Sequence, residues 1–95
     1  DARSKVEEEL RELEAAITQQ EPRPRHEEEL GDLLFAIVNW ARHLGLNAEE
    51  SLRAASSKFE RRFREMEGRA RARGLLLEKL SAPEWDALWG EAKAS

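Results

Sequence analysis

Cysteine and tyrosine are absent from this chain of 95 residues, and no long apolar run occurs in it. Without cysteine there is no disulfide, no thiolate metal site and no thiol nucleophile. No apolar stretch approaches the roughly 18–20 residues that a membrane span requires, so we expect no membrane partner. No N-terminal segment has the pattern of a secretory signal peptide. We therefore expect a cytoplasmic protein.

Strand patterns are also missing. No segment keeps an alternation of apolar and polar residues, and β-branched residues are few. The length predicts a single domain over residues 1–95. A monomer of this size buries only about 60–65% of the surface that its unfolded chain exposes, so we expect a second copy to complete its core. The chain opens within a polar helical pattern, and both a stand-alone domain and a fragment of a longer protein fit that start.

The charges are segregated along the chain. Residues 1–32 contain eleven acids and five bases, whereas residues 58–73 contain seven bases and three acids. Two solvated faces that attract each other are one interpretation. The other is a site that needs both signs, with carboxylates for a cation and bases for phosphate. The acidic pI of about 5.3 argues against a duplex DNA binder, so we expect no nucleic-acid partner.

Apolar periodicity predicts two helices in the first half of the chain. Ser4 lies three residues before a glutamate, which is capping-box spacing, so the first helix is expected over residues 4–20. Pro22 and Pro24 should end it, because proline is excluded from helix interiors. The second helix is expected over residues 25–44.

The second half predicts two more helices and an apolar connector. Gly45 is placed for a left-handed residue after the second helix. Asn47 is expected to cap the third helix, which should run to about Arg73 and stop at Gly74. Ser81 is expected to open a short fourth helix. The predicted fold is therefore all-α: an antiparallel bundle of three to four helices per chain, completed by dimerisation.

The second helix is unusually apolar. Residues 33–41 contain a single polar residue, Asn39, and the apolar arc covers about 220°. Such a helix should be buried around most of its circumference, partly by a second subunit. Asp32 and Asn39 lie on the narrow polar stripe that remains. A carboxylate there needs a partner, either a base of the third helix or a bound cation.

Two pairs of carboxylates have the spacing of a metal site. Glu29 and Asp32 are three residues apart, so they lie on one helix face, and Glu9 and Glu12 repeat that spacing on the first helix. If the two helices pack antiparallel, the four carboxylates converge. Oxygen-only ligands suit Mg²⁺, with Mn²⁺ as a substitute. The alternative is an ordinary solvated acidic face, above all for the first helix.

These motifs resemble a known family. Residues 8–12 (EELRE) and 29–32 (ELGD) are similar to the EExxE…ExxD signature of the all-α nucleoside triphosphate pyrophosphohydrolases. Residues 28–44 and 58–63 resemble MazG proteins. Residues 88–93 resemble the tail of the C-terminal catalytic domain of MazG, so the resemblance spans nearly the whole chain.

The resemblance implies Mg²⁺-dependent hydrolysis of an NTP or dNTP to the monophosphate and pyrophosphate, by a helical homodimer or higher assembly. It also implies a set of site residues. The implied metal ligands are Glu9, Glu12, Glu29 and Asp32. The carboxylates that could assist the attacking water are Glu8, Glu9 and Glu12. The implied substrate-binding residues are Asn39, Lys58, Arg62, Trp89 and Lys93.

Other functions remain open at this point. Ser56 stands where the family often has asparagine, which fits a non-catalytic dimerisation or regulatory module that keeps the fold. A narrow-specificity relative acting on dUTP or phosphoribosyl-ATP is a further alternative. Lys58 and Arg62 could instead pair with the acidic helices, and Trp89 could simply pack the fourth helix.

Overall fold

The computed structural model describes residues 1–94 and is helical throughout its regular part. The elements are α1 (Ala2–Thr18), α2 (Arg23–His43), α3 (Ala48–Ala72), a 3₁₀ turn (Leu77–Lys79) and α4 (Ala82–Ala94). Over residues 1–94 there is no strand, so the predicted all-α class is confirmed. None of the helices in this range is long and apolar enough to cross a membrane. The chain forms two compact units, Asp1–Ser51 and the part from Leu52 onward.

The start of α1 differs from the prediction. The Asp1 carboxylate accepts the backbone N–H of Ser4 at 2.8 Å, so Asp1 is the N-cap and Ser4 lies inside the first turn. The second helix also begins early, at Arg23, with Pro24 in its first turn. Proline is tolerated there because the N–H groups of the first turn have no intrahelical partner. The prolines therefore separate α1 from α2, but α2 begins at Arg23, before the second proline.

The other helix ends follow the sequence. The Asn47 side chain accepts the backbone N–H of the third residue of α3 at 3.0 Å. Ser81 and Glu84 cap α4 reciprocally, each side chain accepting the other's backbone N–H. Gly45 and Gly74 have φ of 74° and 70°, the left-handed conformation that lets each helix stop without a Cβ clash.

In the first unit, α1 and α2 form an antiparallel hairpin. Ala16 and Ala36 are buried between the helices, where their small side chains allow close approach. A hydrogen bond of 3.1 Å joins the His26 ring to the Ala16 carbonyl near the turn. The expectation that α2 is buried around most of its circumference, partly by a second subunit, stays a prediction, and in the single chain most of α2 is exposed. Its buried residues are Glu29 and Ala36, α1 packs against α2 within the first unit, and large side chains such as Leu34 are exposed.

The second unit has a small core of its own. Met66 is fully buried and packs with Ala70, Leu88 and Ala92, so the last turns of α3 meet α4. Partly buried leucines of the connector and the tryptophans of α4 cover this cluster. The leucines of residues 75–80, the segment predicted as an apolar connector, therefore cover part of this core.

Candidate functional site

Three of the predicted carboxylates converge in the first unit. Glu9 on α1 and Glu29 and Asp32 on α2 each offer an oxygen, and these oxygens all lie within 4.8 Å of one another. The spacing of three residues puts Glu29 and Asp32 on one face of α2, and the hairpin brings Glu9 opposite them. Glu12, one turn further along α1, is close enough for its charge to raise the pKa of Glu29.

Glu29 is the buried member of this cluster. Only 4% of its surface is exposed, whereas Asp32, which we expected to project from the buried helix, is exposed. Burial raises the pKa of the Glu29 carboxyl, Arg25 lowers it, and the charges of Asp32, Glu12 and Glu9 raise it further. A buried carboxylate beside other carboxylates is costly without cations. The carboxylates of Glu9, Glu29 and Asp32 thus concentrate negative charge at one place in the first unit.

Two cations hold these carboxylates, and the sequence reasoning missed both. Arg25 Nη2 lies 2.8 Å from Glu29 Oε1, and Lys5 Nζ lies 3.0 Å from Glu9 Oε1. Each pair is four residues apart on one helix, the spacing at which opposite charges meet. That spacing was visible in the sequence. Lys5 also contacts Glu8, at 3.3 Å, so this exposed glutamate lies at the edge of the site.

A cavity of about 380 Å³ adjoins the carboxylates. Glu9 and Asp32 line one part of it, and the amide of Asn39 lines another. Asn39, which the family resemblance implies for substrate binding, thus shares a cavity with two of the carboxylates, and its role in binding substrate stays a prediction. The remaining wall is formed by Lys5, Phe35 and Ala36.

A basic cavity of about 380 Å³ lies in the second unit. It brings together Lys58, Arg62 and Lys93, three of the residues that the family resemblance implies for substrate binding. Arg61 and the acidic Glu65 line it as well. Within residues 1–94 the structure records no ion pair at Lys58 or Arg62, so these two side chains are available to bind an anion. A guanidinium and two ammonium groups suit a phosphate group.

Trp89 lies in an aromatic cluster on the second unit. Its ring centroid is 5.2 Å from that of Phe59 and 5.6 Å from that of Trp85. Such distances are typical of packed aromatic pairs. Trp89 therefore has a packing role, and the substrate binding that the family resemblance implies for it remains a prediction.

Comparison with known proteins agrees with these motifs. Residues 2–66 match the family described as the MazG nucleotide pyrophosphohydrolase domain. The "Nucleoside triphosphate pyrophosphohydrolase/pyrophosphatase MazG" of Thermotoga maritima is 47% identical over 89 residues, which is 94% of this chain and 33% of that protein. The "Nucleoside triphosphate pyrophosphohydrolase" of Escherichia coli K12 is 52% identical over 67 residues, 70% of this chain and 26% of that protein.

A third relative is the "Uncharacterized protein YabN" of Bacillus subtilis, 45% identical over 65 residues, or 68% of this chain and 13% of that protein. The chain thus spans a third or less of the length of these relatives. The match of residues 2–66 includes both carboxylate motifs and, of the basic segment 58–73, the part up to residue 66 with Lys58 and Arg62. On this evidence the chain belongs to the MazG nucleotide pyrophosphohydrolase domain family.

Proposed function

We propose that this chain is an Mg²⁺-dependent nucleoside triphosphate pyrophosphohydrolase, which cleaves an NTP or dNTP to the monophosphate and pyrophosphate. The observation that carries the proposal is the convergence of Glu9, Glu29 and Asp32 within residues 2–66, the part of the chain that matches the family. The names of two relatives are consistent with this activity. A solvated acidic face would not bury one of its carboxylates.

The donor set fits a hard divalent cation. Three carboxylate oxygens that already lie within 4.8 Å of one another could be brought onto one divalent cation by rotation of their side chains. All three are carboxylate oxygens, and Glu12 lies outside this group of three, although its charge raises the pKa of Glu29. Mg²⁺ held there would offset the negative charge of a triphosphate and lower the pKa of a nearby water.

The cations around the carboxylates keep them in place. Arg25 holds Glu29, and Lys5 holds Glu9 while also contacting Glu8. We propose that these pairs orient the ligand oxygens toward a common point. We also propose that Glu8, Glu9 or Glu12 accepts a proton from the water that attacks the α-phosphorus, since Glu9 belongs to the cluster, Glu8 shares its lysine, and the charge of Glu12 acts on Glu29.

The basic cavity of the second unit supplies phosphate binding. Lys58 and Arg62 are four residues apart on α3, so both side chains reach the same cavity, and Lys93 reaches it from α4. Arginine can bind two phosphate oxygens through its planar fork. Replacing Arg62 by glutamine should therefore raise the KM for a nucleoside triphosphate more than it lowers kcat.

Pyrophosphate release tests the proposal. The panel should contain the common NTPs and dNTPs together with dUTP and phosphoribosyl-ATP, each assayed with Mg²⁺ and with EDTA. We expect release that requires the metal and yields the monophosphate. Asp32→Asn should lose most of it at Mg²⁺ concentrations near the wild-type Kd, and Asp86→Asn, the same change at an exposed position of α4, should leave it unchanged. A folded wild-type protein that releases no pyrophosphate from any member of the panel would instead be a non-catalytic module that keeps the fold.

A further inference from the structure

Phe35 is an apolar side chain beside a polar site. Its ring is 76% exposed, the highest value among the large apolar side chains of residues 1–94. A phenyl ring in water is unfavourable, since burying such a side chain gains roughly 1.5–3 kcal/mol. The ring also lines the cavity that adjoins the carboxylate cluster. Its exposure is therefore located at the candidate site and not on a remote surface.

The register of α2 orders the cavity wall. Asp32, Phe35, Ala36 and Asn39 follow at intervals of three, one and three residues, so they share one helix face. The face is about 10 Å long from Asp32 to Asn39, at 1.5 Å per residue. It has a carboxylate at one end, an aromatic ring and a buried alanine in the middle, and an amide at the far end.

This order matches the chemistry of a nucleotide. Phosphates belong at the carboxylate end, where a divalent cation would lie between the two sets of negative charges. The middle of the wall offers a flat apolar ring, and every nucleobase has a π-face that stacks on such a ring. The Asn39 amide can donate to and accept from the polar edge of a base or a sugar hydroxyl.

We propose that Phe35 stacks on the base of the nucleoside triphosphate, in the cavity that begins at Asp32 and ends at Asn39. The inference rests on the function proposed above and adds a base-contacting residue to it. Stacking tolerates all bases because it uses the ring face, whereas the Asn39 amide can distinguish their edges. Phe35 thus contributes affinity, and Asn39 contributes selectivity.

Nucleotide affinity with and without a base tests the inference. The probes are α,β-methylene nucleoside triphosphates, which resist cleavage at the α–β link, and inorganic tripolyphosphate, which has no base. Titration calorimetry with Mg²⁺ should give an affinity for the nucleotide analogues that falls at least fivefold in Phe35→Ala, the lower end of base–aromatic stacking. Affinity for tripolyphosphate should stay within twofold of wild type.

Two further variants keep the result interpretable. Leu34→Ala removes a neighbouring exposed apolar side chain that does not line the cavity, and its affinities should match those of wild type. Phe35→Leu keeps an apolar side chain but has no ring, so it should bind nucleotide as weakly as Phe35→Ala.

Each remaining outcome overturns the inference. Unchanged nucleotide binding in Phe35→Ala contradicts it, and so does an equal loss for nucleotide and tripolyphosphate. A change in sedimentation or in urea midpoint with nucleotide binding intact would make Phe35 an interface residue. If wild type binds no nucleotide analogue at all, that result contradicts the proposed function itself, and with it the role of Phe35.

Discussion

Asp32→Asn should weaken the stabilisation of this protein by Mg²⁺ or Mn²⁺ without weakening the metal-free fold. Asp32 is exposed, and its oxygen lies within 4.8 Å of oxygens of the two other carboxylates of the cluster. Over residues 1–94 the structure records no ion pair at Asp32, so the substitution removes no internal contact of that kind. What changes is one negative charge that would face a bound divalent cation.

The size of the effect follows from that charge. Two unit charges about 4 Å apart in water attract by about 1 kcal/mol, and a divalent cation doubles this to about 2 kcal/mol. Such a loss raises the Kd of the metal roughly 30-fold. At a metal concentration of about 100 times the wild-type Kd, the metal stabilises wild type by about 2.7 kcal/mol and the variant by about 0.9 kcal/mol. For a domain of this size the difference corresponds to a melting temperature lower by about 7–14 °C.

Thermal unfolding with added metal and with EDTA measures this difference. Both proteins should melt at similar temperatures in EDTA, and the variant should show less than half of the metal-induced rise. Asp86→Asn, which makes the same change at an exposed position of α4, should behave as wild type. Equal metal-induced rises in wild type and Asp32→Asn would refute the assignment of Asp32 as a ligand.

Three further predictions concern the fold and the charge of the site. Burial raises the pKa of Glu29, so ionisation of this carboxyl destabilises the fold as pH rises through that pKa. In EDTA, Glu29→Gln should therefore resist urea better than wild type near about pH 7, and this gain should shrink toward about pH 4. Met66→Ala should cost about 2–5 kcal/mol in urea unfolding, because Met66 is fully buried, whereas Leu76→Ala, at an exposed position, should cost less than about 1 kcal/mol. The homodimer remains a prediction, motivated by exposed apolar side chains on the α1–α2 hairpin; Ile17→Glu should shift sedimentation toward the monomer, and a wild-type monomer would contradict it.

Helix boundaries were predictable where a side chain caps its own neighbours. Asn47 and Ser81 were identified from spacing alone, because a cap is a local hydrogen bond. The prediction that Ser4 caps the first helix was wrong, because Asp1, three residues earlier, is the N-cap and accepts the backbone N–H of Ser4. The early start of α2 depends on the tolerance of a first helical turn for proline, which the break at residues 22–24 concealed.

The carboxylate cluster was predictable in composition but not in burial. Spacing placed Glu29 and Asp32 on one face, and the short turn implied the hairpin that brings Glu9 to them. Which of the two is buried depends on where α1 crosses α2, and no single-helix pattern contains that information. Lys5 and Arg25 could have been found from their i,i+4 spacing.

Isotope transfer from water tests the central claim most directly. The wild-type protein should be incubated with Mg²⁺ and a nucleoside triphosphate in ¹⁸O-labelled water, and the products analysed by mass spectrometry. Attack of water on the α-phosphorus predicts one ¹⁸O in the monophosphate and none in the pyrophosphate, with no reaction in EDTA. Label in pyrophosphate, release of orthophosphate, or labelling at the wild-type rate in Asp32→Asn near the wild-type Kd for Mg²⁺ would contradict the account.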